Sequence, residues 1–184
     1  MVELFIGIGS NTEREKHLNA GVAELQQIFT EVELSPVYEA EAVGVCSGNY
    51  YNLVVRCKTA RTVCDVSAAL QAIEQRWGRR DPQYAGCCTL DLDLLLYGRL
   101  CQSDKPHLPR PDILQYAFVL RPLADLAPDV THPQNGLSFA TLWQRFNDPA
   151  QRLWPVSFAW QDVNRTSLHT SAVVDVSVCC HSDV

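Results

Sequence analysis

From Thr89 to Leu94 polar and apolar residues alternate strictly, and the run continues through Leu95, Leu96 and Tyr97 to Gly98. A two-residue period marks a strand with one packed face and one open face. Leu90, Leu92 and Leu94 share the packed side, so Asp91 and Asp93 project together from the other, about 7 Å apart along the strand. Leu4 to Ile8 is a short apolar run that predicts a buried strand, ending in the tight turn Gly7-Ile8-Gly9-Ser10-Asn11. A helix follows, with Thr12 and Glu15 spaced as a capping box and Leu18, Val22, Leu25 and Ile28 on one stripe. Glu31 to Glu41 reads as an extended strand bent at Pro36. A loop over 43–49 leads to a second alternating strand, Asn49 to Cys57, with polar Asn52 inside it. Thr62 and Asp65 open a second helix through Val66, Leu70, Ile73 and Trp77 that stops at Gly78, and a polar, mobile loop is expected over 79–86.

After Gly98 the three prolines between Lys105 and Pro111 forbid a helix. Asp112 can cap a third helix carrying Ile113, Leu114, Ala117, Phe118, Leu120 and Leu123, and 137–146 predicts a short amphipathic one. From Asp148 the pattern loosens, which divides the chain into a domain over 1–147 and a poorly ordered extension over 148–184. The order strand, helix, strand, strand, helix, strand predicts an α+β fold, a ferredoxin-like antiparallel sheet with helices on one face. The other face is then open for a ligand, with the aspartate strand near its middle.

Composition narrows the function. The chain has 184 residues, 47% hydrophobic and 20% charged, as in ordinary globular domains. A net charge of −6 argues against a nucleic-acid surface. No apolar run approaches the ~20 residues of a membrane span, and the chain opens directly on a strand with no signal peptide. The eight cysteines include the adjacent pairs Cys87-Cys88 and Cys179-Cys180, which lack the spacing of zinc ligands. Reduced thiols in the cytoplasm are the expectation.

The two aspartates carry the candidate chemistry. Held side by side they repel, and each titrates upward. Divalent cations remove that cost, and a hard cation such as Mg²⁺ takes oxygen ligands and shares them with substrate phosphates. The alternative is an edge strand whose aspartates only face water. Asn52 is either hydrogen-bonded locally or reads a ligand. The turn at Gly9 lacks the full spacing of a phosphate loop.

Assembled, Ile8-Gly9-Ser10-Asn11, Asn49-Tyr50-Tyr51-Asn52, Glu74 with Gly78-Arg79, Thr89-Leu90-Asp91-Leu92-Asp93 and Ala117-Phe118-Val119-Leu120 with Pro122-Leu123-Ala124 form a specific set. With them the chain resembles the 6-hydroxymethyl-7,8-dihydropterin pyrophosphokinases of folate synthesis, across about residues 2–146. The resemblance implies transfer of the β,γ-pyrophosphate of ATP, the co-substrate, to the pterin hydroxymethyl oxygen, giving AMP. It implies two Mg²⁺ ions on Asp91 and Asp93, with Arg79 also in the catalytic set. Asn52 would hydrogen-bond the pterin and Phe118 would stack on it near Tyr50, with Ala42 and Val43 completing the pocket. Glu74, Arg79 and Arg80 would belong to the nucleotide side, where Lys105 and Arg110 add positive charge. A monomer acting on small molecules follows, with no nucleic acid or membrane partner.

Three positions depart from the family pattern. Cys88 stands where an arginine usually precedes the Asp-Leu-Asp run, Arg110 replaces a histidine, and Tyr116 replaces an arginine. The charge-assisted bond to phosphate that an arginine makes and a thiol cannot is worth ~1.5–3 kcal/mol, about a ten- to hundredfold rate effect. The rival readings are a catalytically impaired paralogue that binds pterin or nucleotide without turnover, and a metal-binding or regulatory module without pterin.

Overall fold

The computed structural model describes residues 1–43, 48–79, 81, 84 and 87–161. Most of the two loops expected around 43–49 and 79–86, Arg80 among them, lies outside the described residues, as does 162–184. The element order is β1 (Val2–Ser10), α1 (Arg14–Ile28), β2 (Thr30–Leu34), β3 (Val37–Ala40), β4 (Tyr50–Thr59), α2 (Val63–Arg76), β5 (Asp91–Tyr97), α3 (Asp112–Gln115), α4 (Ala117–Leu126), α5 (Phe139–Arg145) and β6 (Leu153–Val156).

All strand pairings in the sheet are antiparallel, in the order β5-β1-β4-β3-β6, with β2 also on β4. The strand expected over 31–41 breaks at Ser35-Pro36 into β2 and β3, because proline has no N–H for the ladder. Both halves still pair with β4. Among the described residues the aspartate strand β5 lies at the sheet's edge, paired only with β1, and not near its middle.

Period-two patterning gives the sheet two apolar faces, and helices cover both. Leu4, Ile6, Ile8, Leu92 and Leu94 pack with Leu18 and Leu25 of α1 and Leu70 and Ile73 of α2. Phe5, Val54 and Leu95 pack on the other side with Val119, Leu120 and Leu123 of α4 and Phe139 of α5. The expectation of helices on one face only is therefore corrected. The apolar stripe of 113–124 needs a surface to bury, and the second face of the sheet supplies it. On that face Asp91, Asp93 and Asn52 line a hollow at the end of β5 and β4, beside Phe118 and Val119.

The helix ends are partly as the sequence indicates. Thr62 and Asp65 form the reciprocal capping box of α2. The box expected on α1 does not form: Glu13 occupies the N-cap in the left-handed region (φ 42°) without a side-chain cap. The helix expected from Asp112 breaks at Tyr116, an extended residue (φ −120°, ψ 126°), into α3 and α4. The region from 148, expected to be an extension outside the domain, begins by adding β6 to the sheet through Val37↔Val156 to Ala40↔Leu153. Its alternation is masked by Pro155 and by half-exposed Trp154, which suit an edge strand. No described helix is long and apolar enough to cross a membrane.

Candidate active site

Asp91 and Asp93 leave β5 on the face opposite Leu92 and Leu94, each about one-third exposed. Each carboxylate faces an arginine. The Arg79 guanidinium donates to Asp91 Oδ1 and also to Glu74. Arg110 Nη2 lies 3.0 Å from Asp93 Oδ1. Burial, then the neighbouring Asp91 charge, pushes Asp93 up to about 6, against the pull of Arg110.

Arg79 reaches this place because α2 ends on Gly78, whose φ of +87° suits glycine. The reversed chain lets the Arg79 N–H donate to the Glu74 carbonyl at 3.0 Å. Glu74 itself is buried, and its Oε1 accepts the Leu92 N–H at 2.9 Å. An edge strand leaves alternate N–H groups unpaired, and this carboxylate satisfies one of them. Burial moves Glu74 up to about 7 despite that bond. Arg110 is held by its own N–H on the Leu95 carbonyl at 2.9 Å and by Nε on Asp112 Oδ2 at 2.5 Å.

A cleft of about 590 Å³ joins Glu74, Arg79, Asp93, exposed Lys105 and Arg110, and runs along α2 past Gln71 and Ser67. The nucleotide-side residues expected from the sequence thus share one concavity, apart from Arg80, which lies outside the described residues. On the other side of β5 a hollow of about 50 Å³ brings Asn52, Phe118, Asp91 and Asp93 together with Gly7 and Gly9. A Cβ on Gly9 would sit 3.3 Å from Asn52 Oδ1, so glycine keeps the amide where it is. Asn52 is buried, with Nδ2 3.4 Å from the Tyr50 carbonyl, which leaves most of its hydrogen-bonding capacity facing the hollow. Ala42, Val43 and Phe118 line a further hollow of about 100 Å³. Tyr50 is half-buried in β4 two residues before Asn52, on the same face.

The departures acquire neighbours. The Cys88 N–H donates to Asn11 Oδ1 at 2.6 Å, its carbonyl accepts the Asn11 N–H at 3.0 Å, and Ser10 Oγ donates to that carbonyl at 3.3 Å. The tight turn expected at Gly7–Asn11 is therefore strand as far as Ser10, and Ser10 and Asn11 at the end of β1 buckle the segment ahead of β5 to it. Tyr116 stacks on Phe118, centroids 5.0 Å apart and planes 17° from parallel. Gln151, beyond the last periodic helix, lines the 100 Å³ hollow and hydrogen-bonds to backbone groups of Gln115 and Ala117, contacts that leave no side-chain pattern in the sequence.

Two outward carboxylates beside a cleft rich in cationic side chains fit Mg²⁺, which commonly takes one or two carboxylates and completes its shell with phosphate oxygens and water. Among the described residues no group of three or more His, Cys, Asp and Glu side chains is gathered for a metal. A cation here would depend on substrate oxygens.

The 7,8-dihydro-6-hydroxymethylpterin-pyrophosphokinase family model matches residues 5–128. The Synechocystis protein named 2-amino-4-hydroxy-6-hydroxymethyldihydropteridine pyrophosphokinase is 33% identical over 156 residues, 83% of this chain and 79% of that one. Its Pseudomonas aeruginosa namesake is 35% identical over 136 residues, 71% of this chain and 83% of its own. Among solved structures, a triple mutant of Plasmodium falciparum HPPK-DHPS superposes with a TM-score of 0.65 at 11% identity, over 78% of this chain and 44% of that one. This chain thus spans less than half of that bifunctional protein, and the likeness speaks for the fold. On the family match and these relatives, the chain belongs to the 7,8-dihydro-6-hydroxymethylpterin-pyrophosphokinase family.

Proposed function

We propose that the chain transfers pyrophosphate from ATP to 6-hydroxymethyl-7,8-dihydropterin, giving AMP and the pterin diphosphate, as a monomer in the cytoplasm. The observation that carries this reading is the position of Asp93. It lines both the cationic cleft and the hollow with Asn52 and Phe118, so a triphosphate in the cleft and a pterin entering at the hollow, which must widen to admit the ring, would meet at its carboxylate. The pterin hydroxymethyl oxygen forms a bond to the β-phosphorus, the bond from that phosphorus to the α,β-bridging oxygen breaks, and the hydroxyl proton is released. Such transfers depend mainly on positioning and charge neutralisation. Asp91 and Asp93 would hold two Mg²⁺ ions, which would supply neutralisation of the phosphate charge. Arg79, Arg110 and Lys105 supply the fixed positive charge of the cleft, Arg79 and Arg110 as planar donors suited to phosphate oxygens. Asn52 has the donors and acceptor to read a pterin edge, and Phe118 offers a ring face for stacking. Cys57, Cys64, Cys87 and Cys101 are thiols, in keeping with a reducing compartment.

The test is AMP formation from MgATP with and without the pterin. Pterin-dependent AMP supports the reading, and pterin binding without AMP supports the impaired paralogue. Cys88→Arg adds the guanidinium that the family carries before the Asp-Leu-Asp run. Its backbone is fixed by Asn11, so the change is expected to leave the fold intact and raise turnover up to about tenfold.

A further inference from the structure

Phe118 is the second residue of α4, two residues after the helix break at Tyr116, and the N-terminus of α4 has no cap of its own: Tyr116, at the N-cap position, makes no side-chain hydrogen bond to it. Its first N–H is satisfied from far along the sequence. Gln151 Oε1 accepts the Ala117 N–H at 2.8 Å, and Gln151 Nε2 donates to the Gln115 carbonyl at 2.9 Å. The same Nε2 donates to Asp148 Oδ2 at 2.9 Å, which fixes the amide's orientation. One primary amide therefore grips the backbone on both sides of Tyr116, the residue whose extended dihedrals separate α3 from α4. Gln151 in turn is held in place by β6, which starts two residues later against Ala40 of β3. Gln151 also lines the 100 Å³ hollow with Ala42, Val43 and Phe118.

From this we infer that Gln151 is a positioning residue for the pterin site: by clasping the Gln115–Ala117 turn it sets the direction in which Phe118 leaves α4. The inference rests on the pyrophosphokinase reading. It extends the site beyond residue 128, where the family match ends, into the segment that follows α5. Stacking is sensitive to ring placement, because the favourable offset geometries occupy a narrow range of separation and tilt. Two backbone hydrogen bonds released together would let the turn, and the ring with it, sample other directions. The nucleotide cleft is walled by α2, β5 and the 105–110 segment, and Gln151 is not among the residues that line it. The expected signature is therefore selective for one substrate.

The experiment measures KM for each substrate, pterin affinity by calorimetry and the melting temperature for the unmodified chain and for variants. Gln151→Ala is expected to raise KM and the dissociation constant for the pterin about tenfold, equivalent to about 1.4 kcal/mol. KM for MgATP should stay within about twofold. Gln151→Glu alone places a second carboxylate beside Asp148 and loses the donor. Combined with Asp148→Asn it relieves that repulsion and keeps an acceptor for the Ala117 N–H, but leaves the Gln115 carbonyl without its donor, so pterin affinity should return only in part. Unchanged pterin affinity in Gln151→Ala, or equal losses for pterin and MgATP that the paired substitution does not rescue, would overturn the inference. An unmodified chain that binds no pterin would overturn the pyrophosphokinase reading itself, and the clasp with it. If the chain binds pterin but makes no AMP, the calorimetric arm alone decides.

Discussion

Arg110 joins two carboxylates on different elements: Nη2 lies 3.0 Å from Asp93 Oδ1 in β5, and Nε donates to Asp112 Oδ2 at 2.5 Å. The side chain that replaces the family's histidine therefore reaches the aspartate at the junction of the two cavities, and it lines the cleft beside Lys105. A guanidinium cannot lose its proton at any working pH, so this position carries a permanent charge where a histidine would titrate. Arg110→Ala is expected to raise KM for MgATP by about ten- to a hundredfold, the range of one charge-assisted hydrogen bond, and to leave pterin affinity alone. Arg110→His should recover part of the loss below pH 6.5, where imidazole is charged. Calorimetry with MgATP across that pH range checks both. Equal affinity in Arg110→Ala would remove the residue from the nucleotide site.

Asp93 gives a prediction in which stability and activity move in opposite directions. Its carboxyl is pushed up to about 6 by burial and by Asp91, so its ionised form is unfavourable in the metal-free fold. Asp93→Asn is expected to keep or raise the melting temperature in the presence of a chelator. Turnover should fall by roughly a thousandfold, since about 4 kcal/mol of metal-borne charge stabilisation is lost. Mg²⁺-dependent nucleotide binding should disappear, and the same loss is expected for Asp91→Ala. A variant that binds MgATP as the unmodified chain does would refute the metal assignment. A collapse of the melting temperature would instead make Asp93 structural.

Much of the site was legible because its residues follow periods. Asp91 and Asp93 stand out of a leucine strand, Glu74 and Arg79 close an amphipathic helix, and Asn52 interrupts an alternating strand. The sheet's second covered face was harder to see. The stripe over 113–124 reads as one helix, while Tyr116 breaks it in two, and a stripe alone does not say which face of a sheet it meets. The edge position of β5 was hidden because its leucines face apolar neighbours on both sides, which mimics a central strand. β6 and Gln151 left almost no trace. Their contributions run through backbone hydrogen bonds, which any residue can make, and through an amide whose partners lie 34 and 36 positions away.

The acid side of the stability profile contains opposing groups. His132 is buried, its Nδ1 accepts the Gln134 N–H at 3.4 Å, and burial lowers its pKa below the ordinary value of 6.5. A lowered histidine adds stability above its unfolded pKa, which is lost as pH falls through 6.5 toward the folded value. Glu74 and Asp93 have the opposite sign. Their folded values, about 7 and about 6, lie above the unfolded ones, so the metal-free fold gains stability as pH drops from 7 toward 4. His132→Gln should therefore remove the destabilising limb and leave a metal-free protein more stable to urea at pH 5 than at pH 7. Unfolding curves with a chelator at both values decide it. An unchanged pH slope in the variant would show that His132 does not titrate with unfolding.

The last prediction concerns the segment after α5. Ending the chain after Asn147 removes β6 and leaves β3 as an exposed edge with its hydrogen-bonding groups unpaired. It also removes Phe158, whose ring meets Tyr51 edge-on at 6.3 Å between centroids, and the Gln151 clasp. Burial of the half-covered Leu153, Val156 and Phe158, the β3–β6 ladder bonds and the two Gln151 bonds to the Gln115–Ala117 turn are lost together. After the regained chain entropy this amounts to about 2–4 kcal/mol. For a chain of this size that is a fall in melting temperature of roughly 5–15 °C. The proper reference is the chain ended after Gln161, which keeps β6 and Phe158. Because the lost wall belongs to the hollow containing Ala42, Val43 and Phe118, pterin affinity should fall further than MgATP affinity in whatever folded fraction remains. Thermal melts and paired titrations on the two truncations make the comparison. If both melt within about 1 °C of each other, β6 adds nothing to the sheet's stability, and the fold proper would end at α5.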